Sequence, residues 1–199
     1  MHRNALFYRQ LILWLWCAWA LVWVVAALRS KATERRESLW SRLAHVVPLI
    51  IGGVLIGWRD LPWGVLTLRL WPRSFGAYLL GLVLLVVGLG VAVWARVHLG
   101  RNWSGTVSVK EGHELIRTGP YAYVRHPIYT GLLAAVLGTA IASGTVRAAL
   151  GFLIILTALA RKLRTEEVFM RDTFPGEYPA YSAQVPALIP FAKGRRLIT

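Results

Sequence analysis

Five stretches of this 199-residue chain run without a charged side chain: 19 residues (10–28), 16 (43–58), 22 (74–95), 21 (126–146) and 13 (148–160). Stretches of that length and apolarity constrain the fold more than any other feature. A hydrocarbon core of about 30 Å needs about 20 helical residues at a rise of about 1.5 Å each. The first, third and fourth stretches meet that length. The 13-residue fifth covers only about 20 Å, so its flanking Arg147, Arg161 and Lys162 must snorkel or the helix must continue within protein. It reads as the second half of a helical hairpin turning at Ala142-Ser143-Gly144-Thr145. The second stretch contains His45 and Pro48 and is the weaker of the remaining segments. The expectation is an all-α, polytopic membrane protein of five transmembrane helices, forming a single domain over residues 1–199.

Charge decides the orientation. Lys and Arg number 23 against nine Asp and Glu, a net charge of +14. Seventeen of the cations fall in the loop after the first stretch, the loop after the third and the carboxyl-terminal tail; six (Arg3, Arg9, Arg59, Arg69, Arg73 and Arg147) fall on the other side. Short cytoplasmic segments collect Lys and Arg, so the amino terminus is expected outside and the carboxyl terminus in the cytoplasm. With 56% apolar residues and a mean hydropathy of +0.52, the basicity reads as a membrane signature suited to anionic headgroups and excludes a nucleic-acid partner. The lone Cys17 rules out an internal disulfide or a cysteine-based zinc site.

Smaller features fit the same frame. The first stretch carries Trp14, Trp16, Trp19 and Trp23 and is followed by basic residues, which favours a retained helix over a cleaved signal. Trp58, Trp63, Trp71 and Trp94 lie near span ends, as an aromatic belt requires, and residues 61–70 read as interfacial. Gly53-x-x-x-Gly57 reads as close helix packing within the chain.

The chemistry-bearing residues cluster between 99 and 191. Leu99-Gly100-Arg101-Asn102-Trp103-Ser104 precedes a polar, strand-like stretch at 106–110 and then His113-Glu114-Leu115-Ile116. Gly119-Pro120-Tyr121 follows, and Arg125-His126-Pro127-Ile128-Tyr129-Thr130-Gly131 opens the fourth helix. Proline suits a helix start, which places His126 at a helix mouth whose unpaired N–H groups favour an anionic ligand group. Past the fifth stretch the helix should continue to Phe174 and end at Pro175-Gly176, with Lys162 facing Glu166 and Arg164 facing Glu167. Tyr178, Tyr181 and an extended tail with Pro186 and Pro190 close the set. Carboxylates and a histidine beside apolar helices are costly to place and are functional candidates by default.

The order of these motifs resembles the isoprenylcysteine carboxyl methyltransferase family, a group that extends to membrane phospholipid methyltransferases, and in Leu99–Ser104 its compact prokaryotic branch. The resemblance covers about ninety residues. It implies a five-helix protein with a cytoplasmic carboxyl-terminal pocket for S-adenosylmethionine, residues 1–98 forming the first three spans and 99–199 the cofactor-binding half. It implies that His113, Glu114, Leu115, Ile116, Tyr121, His126, Pro127, Ile128 and Tyr129 line the cofactor, and that Glu166, with Glu167 second, binds its polar end. It places Lys162 where eukaryotic members carry an arginine that orients the acceptor carboxylate, with Arg161 as the alternative. No metal is implied, and no Gly-x-Gly-x-x-Gly cradle is present.

The resulting expectation is a carboxyl methyltransferase in a prokaryotic inner or plasma membrane, acting on a lipid-like acceptor of isoprenylcysteine type. A phospholipid amine or small thiol is the alternative acceptor. A sterol-type reductase using a nicotinamide cofactor is the alternative enzyme, although its Asn-Tyr pair is replaced here by Ile128-Tyr129.

Overall fold

Glycine lets the two central helices touch backbone to backbone. In α3 (Phe75–Leu99) and α4 (Pro127–Ser143), a Cβ added to Gly88 would stand 2.4 Å from the carbonyl oxygen of Gly131, and one added to Gly81 would stand 2.5 Å from that of Gly138. Leu85, Ala92, Ala135 and Ala142 alternate with these glycines, so each helix presents a small-residue seam at spacings of four and three. The two helices run antiparallel along it.

The computed structural model describes residues 2–28, 39–58, 64–100 and 115–191. Around the α3–α4 pair lie α1 (His2–Ala27), α2 (Leu39–Gly57) and α5 (Val146–Thr173), with a short α6 (Tyr178–Gln184). The described residues are helical, apart from turns and one isolated β-bridge between Arg69 and Thr145. By length and composition, α1 and α3 are apolar enough to cross a membrane; the apolar parts of α2 and α4 are shorter. Three of the four tryptophans in α1, Trp16, Trp19 and Trp23, are half-buried, and Trp14 is exposed. Trp16 and Trp19 pack on Leu85, Leu89 and Ala135, and Trp16 Nε1 donates to Thr139 Oγ1 at 3.1 Å.

Several expectations change here. Gly53 and Gly57 meet nothing, whereas Gly52 packs on α5, its added Cβ 2.7 Å from Gly151 O. One residue turns a helix face by about 100°, enough to move the packing glycine out of the apparent motif. Arg147 does not snorkel. It is 3% exposed, and its Nη1 donates to the carbonyls of Leu55 and Ile56 at the end of α2. Arg96, equally buried, does the same for Ala26 at the end of α1. Neither α1 nor α2 has a basic residue in its own last turn, so each receives a cation for its negative end from a later helix.

The hairpin turn is where the sequence places it. Gly144 caps α4 in the left-handed region at φ 63°, and Thr145 opens α5 in extended form. Trp71, expected near a span end, seals this turn by donating from Nε1 to Ile141 O at 3.1 Å. From Leu68 and Leu70 the backbone pairs with Val146 and Gly144. Trp63 lies outside the described residues. With 28 residues, α5 is about 42 Å long against about 25 Å for α4, so it continues within protein well past the start of α4. That overshoot carries Lys162, Glu166 and Glu167.

Candidate functional site

The site forms where the mouth of α4 meets the far half of α5. Gly119 begins a short 3-10 turn at φ 59°, and an added Cβ there would strike the His98 ring at 2.6 Å. His98 Nε2 lies 2.9 Å from Thr118 Oγ1, and its ring stacks on Tyr121 at 6.4 Å. Tyr181 Oη donates to Tyr121 O at 2.6 Å, which ties the turn to α6.

Beside the helix mouth the tail meets the two residues that precede α4. Arg125 N–H donates to Pro186 O at 2.9 Å and His126 N–H to Ala187 O at 3.0 Å. Thr130 Oγ1 donates to Leu188 O at 2.7 Å. Pro186 and Pro190 have no N–H to place, and this non-helical tail offers its carbonyls to donors at the start of the helix. Residues 178–184, expected to join an extended tail, form α6 instead.

The two glutamates of α5 have different partners. Glu166 Oε1 accepts from Tyr129 Oη and lies 3.9 Å from Lys162 Nζ; its Oε2 is 3.7 Å from His126 Nδ1. Glu167 does not pair with the exposed Arg164. Its Oε1 accepts from both Nε and Nη2 of Arg125, Arg171 lies 3.5 Å from its Oε2, and His126 Nε2 is 3.4 Å from its Oε1. Adjacent helical residues point about 100° apart, which sends one glutamate to Tyr129 and the other to Arg125. Burial pushes the Glu167 carboxyl upward, but His126 and Arg125 outweigh it and hold the group at about 2. Glu166 is the more open of the two, its side chain 24% exposed against 12%.

Tyr129 is the centre of the arrangement. Its ring stacks on His126 at 5.6 Å with planes 6° apart, and Lys162 Nζ stands 5.7 Å from its centroid. Nearby phenols are firmly protonated. Burial first, and the Glu167 charge second, push Tyr178 up to about 12; burial likewise raises Tyr121 and Tyr181.

Of the residues singled out in the sequence, His126, Tyr129, Lys162, Glu166 and Glu167 come together, and Tyr121 lies in the adjoining turn. Pro127 is fully buried beneath them. Ile128, Leu115 and Ile116 are half-buried. Arg161 is exposed, one residue away from the Lys162 face. His113 and Glu114 lie outside the described residues. Two participants were missed: Arg125, signalled only by its place before His126, and His98, which no motif of the sequence marks.

A profile of the isoprenylcysteine carboxyl methyltransferase family matches residues 79–172. The probable protein-S-isoprenylcysteine O-methyltransferase of Oryza sativa subsp. indica is 30% identical over 114 residues, 56% of this chain and 60% of its own length. The protein-S-isoprenylcysteine O-methyltransferase of Schizosaccharomyces pombe is 35% identical over 99 residues, 48% and 42% of the two chains. The cobalt-zinc-cadmium resistance protein CzcN of Cupriavidus metallidurans is 31% identical over 169 residues, 82% of this chain and 68% of its own. This chain thus spans about 60% of the rice relative's length. In fold it is similar to the solved eukaryotic intramembrane Ras methyltransferase ICMT, with a TM-score of 0.53 at 22% identity over 80% of this chain and 55% of that one.

Proposed function

The chain belongs to the isoprenylcysteine carboxyl methyltransferase family, and from that premise we propose that it is an S-adenosylmethionine-dependent methyltransferase whose acceptor is the carboxylate of an isoprenylcysteine-type lipid. The observation that carries the reading is the Glu166 carboxylate, set among Tyr129, His126 and Lys162 and more open than its neighbour.

The donor set suits the cofactor's chemistry. S-adenosylmethionine carries an ammonium and a sulfonium, for which a carboxylate and aromatic faces are suitable partners. Glu166 would hold the ammonium; His126, Tyr121 and Tyr129 would supply the faces; and Leu115, Ile116, Pro127 and Ile128, with His113 and Glu114, would line the remainder. Glu167 serves indirectly, through Arg125 and His126. When bound, the cofactor supplies a methyl group already activated on sulfur.

The chain's own part is to align and to exclude water. Lys162 provides the counter-charge for the acceptor carboxylate from the edge of the Glu166 site, and Arg161 is the fallback. A carboxylate with an ordinary pKa of about 4 is ionised at neutral pH, so no general base is needed. The raised phenols of Tyr121, Tyr178 and Tyr181 agree with that, since none would accept a proton. The 17-to-6 division of Lys and Arg supports five spans in a prokaryotic inner membrane, with the pocket and carboxyl terminus in the cytoplasm.

Calorimetry on the purified protein tests the reading. S-adenosylmethionine should bind and a reduced nicotinamide dinucleotide should not; the reverse would make the chain a reductase. With a productive acceptor, turnover should be nearly flat between about pH 6 and 8.5, whereas an amine or thiol acceptor would give a steep rise.

A further inference from the structure

We infer that Arg125 is a positioning residue, the clasp that locks the 185–188 strap across the mouth of α4 and thereby fixes the His126 and Glu166 wall of the site. Four consecutive strap carbonyls are held from one small patch. Val185 O accepts from Arg125 Nη1, Pro186 O from Arg125 N–H and Ala187 O from His126 N–H, and Leu188 O from Thr130 Oγ1. The same Nη1 also donates to Ser182 O in α6 at 3.0 Å. The other edge of the guanidinium closes on Glu167. One side chain therefore joins α5, α6 and the strap at the point where α4 begins.

Burial gives the clasp its consequence. The Arg125 and Glu167 side chains are 11% and 12% exposed, so weakening one leaves the other in a poorly solvated place. Glu167 would turn to its remaining neighbours, Arg171 and His126. His126 is stacked on Tyr129, which holds Glu166, so a disturbance at Arg125 reaches Glu166 through this short chain of neighbours. The strap is gripped through carbonyls, so its side chains matter less than the path of its backbone.

Lysine at 125 separates these roles. It keeps a positive charge for Glu167, but its three N–H groups sit on one nitrogen and do not span the Glu167 edge and the Ser182 and Val185 edge that separate guanidinium nitrogens serve. The cofactor half of the inference rests on the function proposed above, so the experiment has a readout that does not involve the cofactor. The amide protons of Arg125 and His126 are the donors to the strap, and hydrogen exchange in the peptide spanning 122–130 reports its docking directly.

In detergent-solubilised full-length Arg125→Lys, exchange of those two amides should rise about tenfold or more, and the S-adenosylmethionine dissociation constant should rise by about tenfold. Thr130→Val, which removes the hydroxyl's bonds to Leu188 O and to His126 O one turn back, should move both in the same direction by a smaller factor and replaces the lysine variant should that fail to fold. Unchanged exchange overturns the clasp. Accelerated exchange with unaltered cofactor affinity overturns its positioning role. A wild-type protein that does not bind S-adenosylmethionine overturns the functional reading instead, and exchange alone then decides whether Arg125 holds the strap.

Discussion

Tyr129 Oη donates a hydrogen bond to Glu166 Oε1, joining the first turn of α4 to the part of α5 that runs past it. The bond aims the carboxylate, since the phenol donates to one oxygen and leaves the other to different neighbours. Losing the acceptor should therefore cost more than losing the donor. Glu166→Ala should weaken S-adenosylmethionine binding by about a hundredfold and Tyr129→Phe by about tenfold, because the first removes the charged partner of the ammonium and the second only loosens its aim. Calorimetry on both variants checks the order; equal effects would mean that Tyr129 contributes beyond this bond.

Lys162 Nζ lies 3.9 Å from Glu166 Oε1, so in the proposed site it would compete with the cofactor's ammonium for that carboxylate. Lys162→Ala should leave cofactor affinity within a few-fold of wild type or tighten it, while turnover falls. Separate binding and single-turnover measurements distinguish these. A collapse of cofactor affinity in a folded variant would assign Lys162 to the cofactor.

The α3–α4 seam predicts a position-specific cost for one methyl group. At Gly88 an added Cβ meets Gly131 O at 2.4 Å and Ala135 N at 2.6 Å, both backbone atoms, whereas at Gly90 it meets nothing within 4 Å. Gly88→Ala should destabilise the protein by about 1–3 kcal/mol, and Gly90→Ala should be neutral or slightly stabilising. Thermal unfolding in one detergent compares them; similar melting of the two would show that the seam does not hold the pair together.

Acid should loosen the clasp at Glu167. Its folded-state value, about 2, lies below the ordinary 4.5, so its contribution is complete above about pH 4.5 and is lost as pH falls toward 2. Between pH 5 and 3 the wild-type melting temperature should fall more than that of Glu167→Gln, which has no carboxylate to protonate. Parallel declines would place the acid sensitivity elsewhere.

Orientation can be read with a reporter active only in the cytoplasm. Fused after Thr199 it should give signal, as the 17-to-6 division of cations predicts. Silence from a properly inserted fusion would reverse the topology.

By itself the sequence determined the five helical segments, the hairpin turn at Gly144 and the set of residues around Arg125-His126-Pro127 and Glu166-Glu167. Uncharged length and turn chemistry are properties of neighbours in the chain, so they can be read along it. Tertiary structure alone decided which member of each local group acts. Gly52 packs rather than Gly53 because a helix turns by about 100° per residue, and the same rotation sends Glu166 to Tyr129 and Glu167 to Arg125. Arg147 and Arg96 entered the interior because the last carbonyls of α2 and α1, far away in sequence, lay there to receive them. The strap could not be foreseen either, since it is held through its own backbone carbonyls, which every residue carries and no side-chain pattern announces.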